Sequence, residues 1–146
     1  MSVSSGVYPV YENQFKVNTG SGSTATWSDI SDLETFSVSI DNNVEEWTPF
    51  TTSGWTRRLM TGKSITLTVQ GKRNLGDTGN DFIAGLFMTN GQAAQADFQW
   101  TFPNGDILQL DDAVVNVTNL GAGDSTAVGP LEFEVMSNGM PTYTEQ

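Results

Sequence analysis

The 146-residue chain contains no cysteine and no histidine. Without cysteine there are no disulfide staples, thiolate nucleophiles or Cys-based zinc sites. Without histidine the commonest general base and metal ligand is missing, so neither a Ser-His nor a Cys-His triad can be built. Basic residues are scarce too: six Lys and Arg stand against seventeen Asp and Glu, a net charge of -11. That balance argues against a surface that grips nucleic acid, because affinity for phosphate comes largely from Lys and Arg releasing counterions. It is compatible with a wall past which DNA slides without adsorbing. No apolar run approaches the ~20 residues of a membrane span, so no membrane partner is expected. Met1 to Val10 has neither the basic nor the apolar region of a secretory signal, which predicts a chain that starts in the cytosol.

The few bases are segregated. Thr51 to Leu75 holds Arg57, Arg58, Lys63, Lys72 and Arg73 and no acid, whereas every Asp and Glu lies before or after it. One basic segment on an acidic body suggests docking on the acidic face of an identical neighbour. The plainer alternative is a chance cluster on a solvated loop and strand.

The length fits one domain with one core, residues 1–146, and a hydrophobic content of 37% with fifteen Gly suits short strands joined by turns. Period-two alternation dominates: Phe36, Val38 and Ile40; Ile65, Leu67 and Val69; Phe98, Trp100 and Phe102; Leu131, Phe133 and Val135. Asn104-Gly105 supplies a tight hairpin turn. On the return strand the apolar set changes parity between Leu110 and Ala113, placing a bulge at Asp111-Asp112. Residues 78–90 read as a short helix, with Thr78 and Asp81 as a capping box and Gly91 as terminator. The fold class predicted is mainly β, a sandwich or partly closed barrel flanked by one short α-helix. Three further segments read as irregular: an N-terminal arm over residues 1–9, a Gly/Ser/Thr loop from Asn18 to Thr26, and a C-terminal extension over residues 138–146. Thr51 to Gly62 reads as a long inter-strand loop, and Trp55, Leu59 and Met60 beside Arg57 and Arg58 give it the composition of a contact surface. The alternative for Trp55 is that it folds back onto the domain's own core.

Sites of chemistry are hard to build. Glu45-Glu46 and Asp111-Asp112 are sequence neighbours whose side chains diverge on a strand, so neither pair is a ready acid/base couple. Asp77, Asn80 and Asp81 could be imagined around a calcium ion, but EF-hand spacing is absent and helix capping explains the same residues. Asn116-Val117-Thr118 matches a glycosylation acceptor inside a predicted strand, and Lys63-Ser64 a dyad without an oxyanion loop; both are set aside. No catalytic residue, cofactor or metal site is expected.

The segment Glu45-Glu46-Trp47-Thr48-Pro49-Phe50, the loop Gly54 to Gly62, the strand Lys63 to Gly71 and the helix opening Gly79-Asn80-Asp81-Phe82 together resemble the tail tube proteins of long-tailed bacteriophages and related phage-tail-like bacteriocins (tailocins). The resemblance spans about residues 30 to 137 and rests on the order of elements. It implies a self-assembling structural subunit, not an enzyme, that closes into hexameric rings stacked into a tube through which DNA passes. Closure and stacking would also pair exposed sheet edges that otherwise invite aggregation. By position, Trp55, Arg57, Arg58, Leu59 and Met60 are the implied inter-ring contacts and Glu45 and Glu46 the acidic receptor. The lumen-facing candidates are Ser37, Ser39, Asp41, Thr66, Thr68, Gln70, Glu132 and Glu134, with the particle's wet exterior as the alternative for some of these faces. Other copies of the chain are the implied partners, with tail sheath, tape measure, tail terminator and baseplate proteins beside them. The place is a virion tail assembled in the bacterial host cytoplasm. A reading of another class is a carbohydrate-binding β-sandwich, which needs Trp27, Trp47, Trp55 and Trp100 on one exposed face. A glycosidase with a Glu pair needs carboxylates converging across a cleft, and nothing in the spacing favours it.

Overall fold

A computed structural model of the chain describes residues 3–20 and 23–146. Of the two irregular segments expected near the N-terminus, Met1 and Ser2 in the arm and Ser21 and Gly22 in the loop lie outside the described residues. Eight strands form one antiparallel sheet: β1 (Gln14–Asn18), β2 (Trp27–Asp29), β3 (Leu33–Trp47), β4 (Arg57–Lys72), β5 (Gln95–Thr101), β6 (Ile107–Leu120), β7 (Pro130–Met136) and β8 (Thr142–Thr144). Their order is β2-β1-β5-β6-β7-β4-β3, with β8 against the first residues of β6. The sheet curls without closing into a barrel. Its two ends meet through side chains, Phe15 of β1 standing edge-on to Phe36 of β3 with ring centroids 4.8 Å apart.

The alternating positions explain the curl. Val17, Leu67, Val69, Phe98, Leu110, Ala113, Val115, Leu131, Phe133 and Val135 all point inward and are buried, and helix α1 (Thr78–Ala84) adds Ile83 and Ala84 to the same core. Burying one such side chain contributes about 1.5–3 kcal/mol, so this face holds the sheet in its curled form. The bulge expected on the return strand is present: Asp97 stands opposite the step from Leu110 to Ala113, Asp112 has φ 53°, and its N–H donates to Asp97 Oδ1 at 3.0 Å.

The helix differs from its expected limits and cap. It ends at Ala84 and tightens into a 3-10 turn over Gly85–Met88, while Gly91 opens a separate 3-10 turn instead of terminating the helix. Asp77, not Thr78, is the N-cap, its carboxylate accepting from Asn80 N at 3.0 Å. The same carboxylate accepts from Ser31 N and Ser31 Oγ at 3.2 and 2.8 Å. Burial pushes the Asp77 carboxyl up, and these three bonds together outweigh it and hold it below its ordinary value. Fully buried Asn80 completes the knot: Nδ2 donates to the carbonyls of Ser31 and Lys72, and Oδ1 accepts from Arg73 Nη1 and Asn74 N. A Cβ at Gly71 would collide with Asp32 O, so only glycine lets the turn between β2 and β3 lie this close to β4.

The C-terminal extension is partly a strand. β8 covers the edge of Ile107–Gln109 that β7 leaves open, and buried Asp106 holds it there. The Asp106 carboxylate accepts from Tyr143 Oη, Gln146 N and Asn104 Nδ2.

Candidate functional site

Two surfaces remain once the core is accounted for. The first is an arm. β4 pairs with β7 only from Thr66 onward, and Ser137 makes the last contact, with Ile65. Arg57 to Ser64 and the facing part of β3 therefore overhang the sheet by about 27 Å at 3.4 Å per residue. The expected long loop over residues 51–62 is shorter than that: the connection is 48–56, and Arg57 to Gly62 are strand, paired with Asn43 to Trp47. A bulge at Thr61, between the Asn43/Gly62 and Val44/Met60 pairs, shifts the alternation by one residue and hides the strand from a period-two reading.

The arm is preformed. Phe50–Thr52 make a 3-10 turn, Ser53 and Gly54 follow at φ 52° and 89°, and Thr52 Oγ1 donates to Trp55 O at 2.7 Å. Trp55 does not fold back onto the core; it is 79% exposed, and Phe50, Leu59 and Met60 are exposed beside it. Val38, Ile40, Val44 and Met60 continue the inward face past the end of the core as an uncovered apolar stripe.

The charges expected as contact and as receptor lie together on the arm. Glu45 and Glu46 are on the arm itself, directly across from Leu59 and Arg58. Arg58 Nε donates to Glu46 Oε1 at 2.8 Å, so within one chain Glu46 already holds the arginine of its own hairpin. Lys72 pairs with Glu34 at 2.9 Å and Arg73 with Asp81 at 2.8 Å. The basic segment is thus largely neutralised by acids of the same chain. Arg57 lies 5.6 Å over the Trp47 ring, and Lys63 donates to Asn42 Oδ1; neither has an acidic partner among the described residues.

The second surface is the polar face of the sheet. Ladder register sets Ser37 opposite Thr68, Ser39 opposite Thr66, Thr68 opposite Glu134 and Gln70 opposite Glu132. Directly paired residues share a face, so all eight lumen-facing candidates, Asp41 included, lie on one side of β3, β4 and β7. The face extends over β6, where Asn116 Nδ2 donates to Glu134 Oε1 at 3.0 Å and Asn119 Nδ2 to Glu132 Oε2 at 3.5 Å. Sequence reading missed both asparagines as members of this face; the bulge at Thr118 takes Asn119 out of the alternation, whereas Asn116 alternates regularly with Val115 and Val117 and could have been found. Between Asp41 and Gln70 this face carries hydroxyls, amides and carboxylates, with Met136 and Val114 as an apolar pair beside Thr66, and no Lys or Arg.

The other candidate sites resolve into structure. Asp77, Asn80 and Asp81 are engaged in the cap and knot around Arg73, and among the described residues no group of three or more Asp and Glu is arranged to hold a metal ion. The four tryptophans do not share a face: Trp100 is packed among Phe15, Phe36 and Phe102, Trp47 and Trp55 are on the arm, and Trp27 is on β2.

No protein family matches the sequence, and no curated protein is a close enough relative to compare. Solved structures are similar in fold. A chain in the tail of an empty gene transfer agent particle, of C6 symmetry, superposes with a TM-score of 0.72 at 20% identity over 95% of this chain and 100% of that one. A chain in the virion of the native gene transfer agent particle gives 0.72 at 18% identity over the same shares. A chain of the sheath/tube terminator of the PVC extracellular contractile injection system gives 0.66 at 14% identity, over 98% of this chain and 100% of that one. The protein has the fold of phage-tail-like tube components.

Proposed function

We propose that this chain is a structural subunit of a phage-tail-like tube, without a catalytic role, which closes into six-membered rings that stack and enclose a polar channel for DNA. The observation that carries the reading is the face of β3, β4, β7 and β6 rich in hydroxyls, amides and carboxylates and without Lys or Arg between Asp41 and Gln70, in a chain of this fold. Turned inward, such a face repels phosphate weakly and offers it few cations to bind, so DNA would pass without adsorbing. The C6 symmetry of one similar tail supports six copies per ring.

The overhanging arm supports stacking. Trp55, Leu59 and Met60 are the contact anchors, with Arg57 and Arg58 setting register, since exposed ion pairs contribute ~1 kcal/mol or less each. Sheath, tape measure, terminator and baseplate proteins are the partners such a tube would meet in a virion tail or tailocin assembled in a bacterial cytoplasm. The scattered tryptophans speak against the carbohydrate-binding alternative. Negative-stain electron microscopy of the purified full-length protein tests the reading. Rings or hollow tubes are expected; a persistent monomer at high concentration would contradict it.

A further inference from the structure

Where the curled sheet fails to close, a cleft of about 430 Å³ opens between β1 and β2 on one side and the start of β3 on the other. Phe15, Leu33 and Phe36 give it an apolar floor and Asp29, Asp32 and Glu34 an acidic rim, on which Glu34 is paired with Lys72 and Asp29 stands across the ladder from Lys16; no Lys or Arg is among the lining residues. The cleft is preformed, because the turn that carries Asp32 is tied to α1 and β4 by the Asn80 and Asp77 bonds and by the close approach at Gly71.

We infer that this cleft is the socket for the arm tip of a second copy, with Trp55 entering the apolar floor and Arg57 facing the acidic rim. The inference rests on the self-assembly proposed above and adds a second receptor beside Glu45 and Glu46, one whose Asp29 and Asp32 are in no ion pair among the described residues, whereas Glu46 holds Arg58 of its own arm. Three observations carry it. Charge is complementary: the tip from Thr48 to Gly62 has two arginines and no acid, and Arg57 has no acidic partner among the described residues. Size is compatible, since clefts of roughly 300–1,000 Å³ take ligands larger than one indole. Placement is directional: the socket is built on the first residues of β3 and the tip follows its last, about 48 Å along the strand at 3.4 Å per residue, so a copy cannot fill its own cleft. A tip at one end and a socket at the other make a heterologous contact that repeats without limit, as stacking requires.

The absence of native cysteine makes a direct test clean. Thr51→Cys at the tip and Thr35→Cys at the rim, prepared separately, are mixed under assembly conditions and treated with a short bismaleimide. A cross-linked dimer is expected from the mixture, and none when Met88→Cys, exposed after α1, replaces the rim variant. Independently, Arg57→Glu is expected to raise the concentration needed for assembly about tenfold, and Asp29→Arg in the same chain to restore most of the loss. Normal tubes whose tip does not cross-link to Thr35→Cys, or a charge reversal that Asp29→Arg does not repair, overturn the socket and leave self-assembly standing. Wild-type protein that forms no assembly under any condition overturns both.

Discussion

Asn80 uses every polar atom of its buried side chain to tie the β2–β3 turn to β4 and to the loop before α1. Asn80→Ala would leave the carbonyls of Ser31 and Lys72 and the N–H of Asn74 without these partners. A loss of about 2–3 kcal/mol of stability is expected in urea unfolding, and a change under about 0.5 kcal/mol would contradict the assigned role. Asp106 governs the other end of the chain. The bond from Tyr143 holds its carboxyl below the ordinary value of 3.8 and raises the Tyr143 hydroxyl above 10.0. The Asp106 contribution is complete above pH 3.8 and is lost as pH falls through its lowered value. The Tyr143 contribution is complete below pH 10 and is lost as pH rises through its raised value. Amide exchange at Thr142–Thr144, corrected for intrinsic rate, should therefore show protection across the neutral range and release at both extremes, with Tyr143→Phe weakening the protection at neutral pH. Neither cluster was legible in the sequence as a network. Asp77 and Asn80 carry the right groups for a cap, but their partners Ser31 and Lys72 come from the β2–β3 turn and from β4, which the fold brings to them.

At the scale of elements, the strands were legible where one face is buried, because burial forces strict alternation. Leu131, Phe133 and Val135 are an example, and the bulge at Asp111-Asp112 showed as a change of parity. The arm was not. No core covers Val44 or Met60, so selection for apolar alternation relaxes there, and the Thr61 bulge breaks what remains. Its strand character comes from cross-strand pairing, which a single sequence does not display. β1, β2 and β8 are short strands whose positions likewise depend on partners far along the chain. Because the arm pairs with no other strand among the described residues, changes at its tip should separate folding from assembly. Arg57→Glu with Arg58→Glu is expected to leave the unfolding midpoint within about 0.5 kcal/mol of wild type, since only exposed pairs are lost, while sedimentation shows no polymer. Wild-type polymer yield from that variant would count against the arm as the docking element.

For the whole molecule, the unsolved problem is edges. The outer edge of β3, from Leu33 to Trp47, has no partner among the described residues, and it contains no proline. An edge this long is an aggregation hazard for a free chain and an asset for one that pairs it in a closed ring. The same geometry puts Asp41, Glu132 and Glu134 on the face that a ring could turn toward its axis. That these residues share a face was readable from parity once the strands were known; which way the face points depends on neighbours no single chain contains. A helical reconstruction of the assembled protein decides it. A hollow tube with Ser39, Thr68 and Glu134 at the smallest radius is expected, and a filament that carries this face on its outer wall would contradict a polar channel.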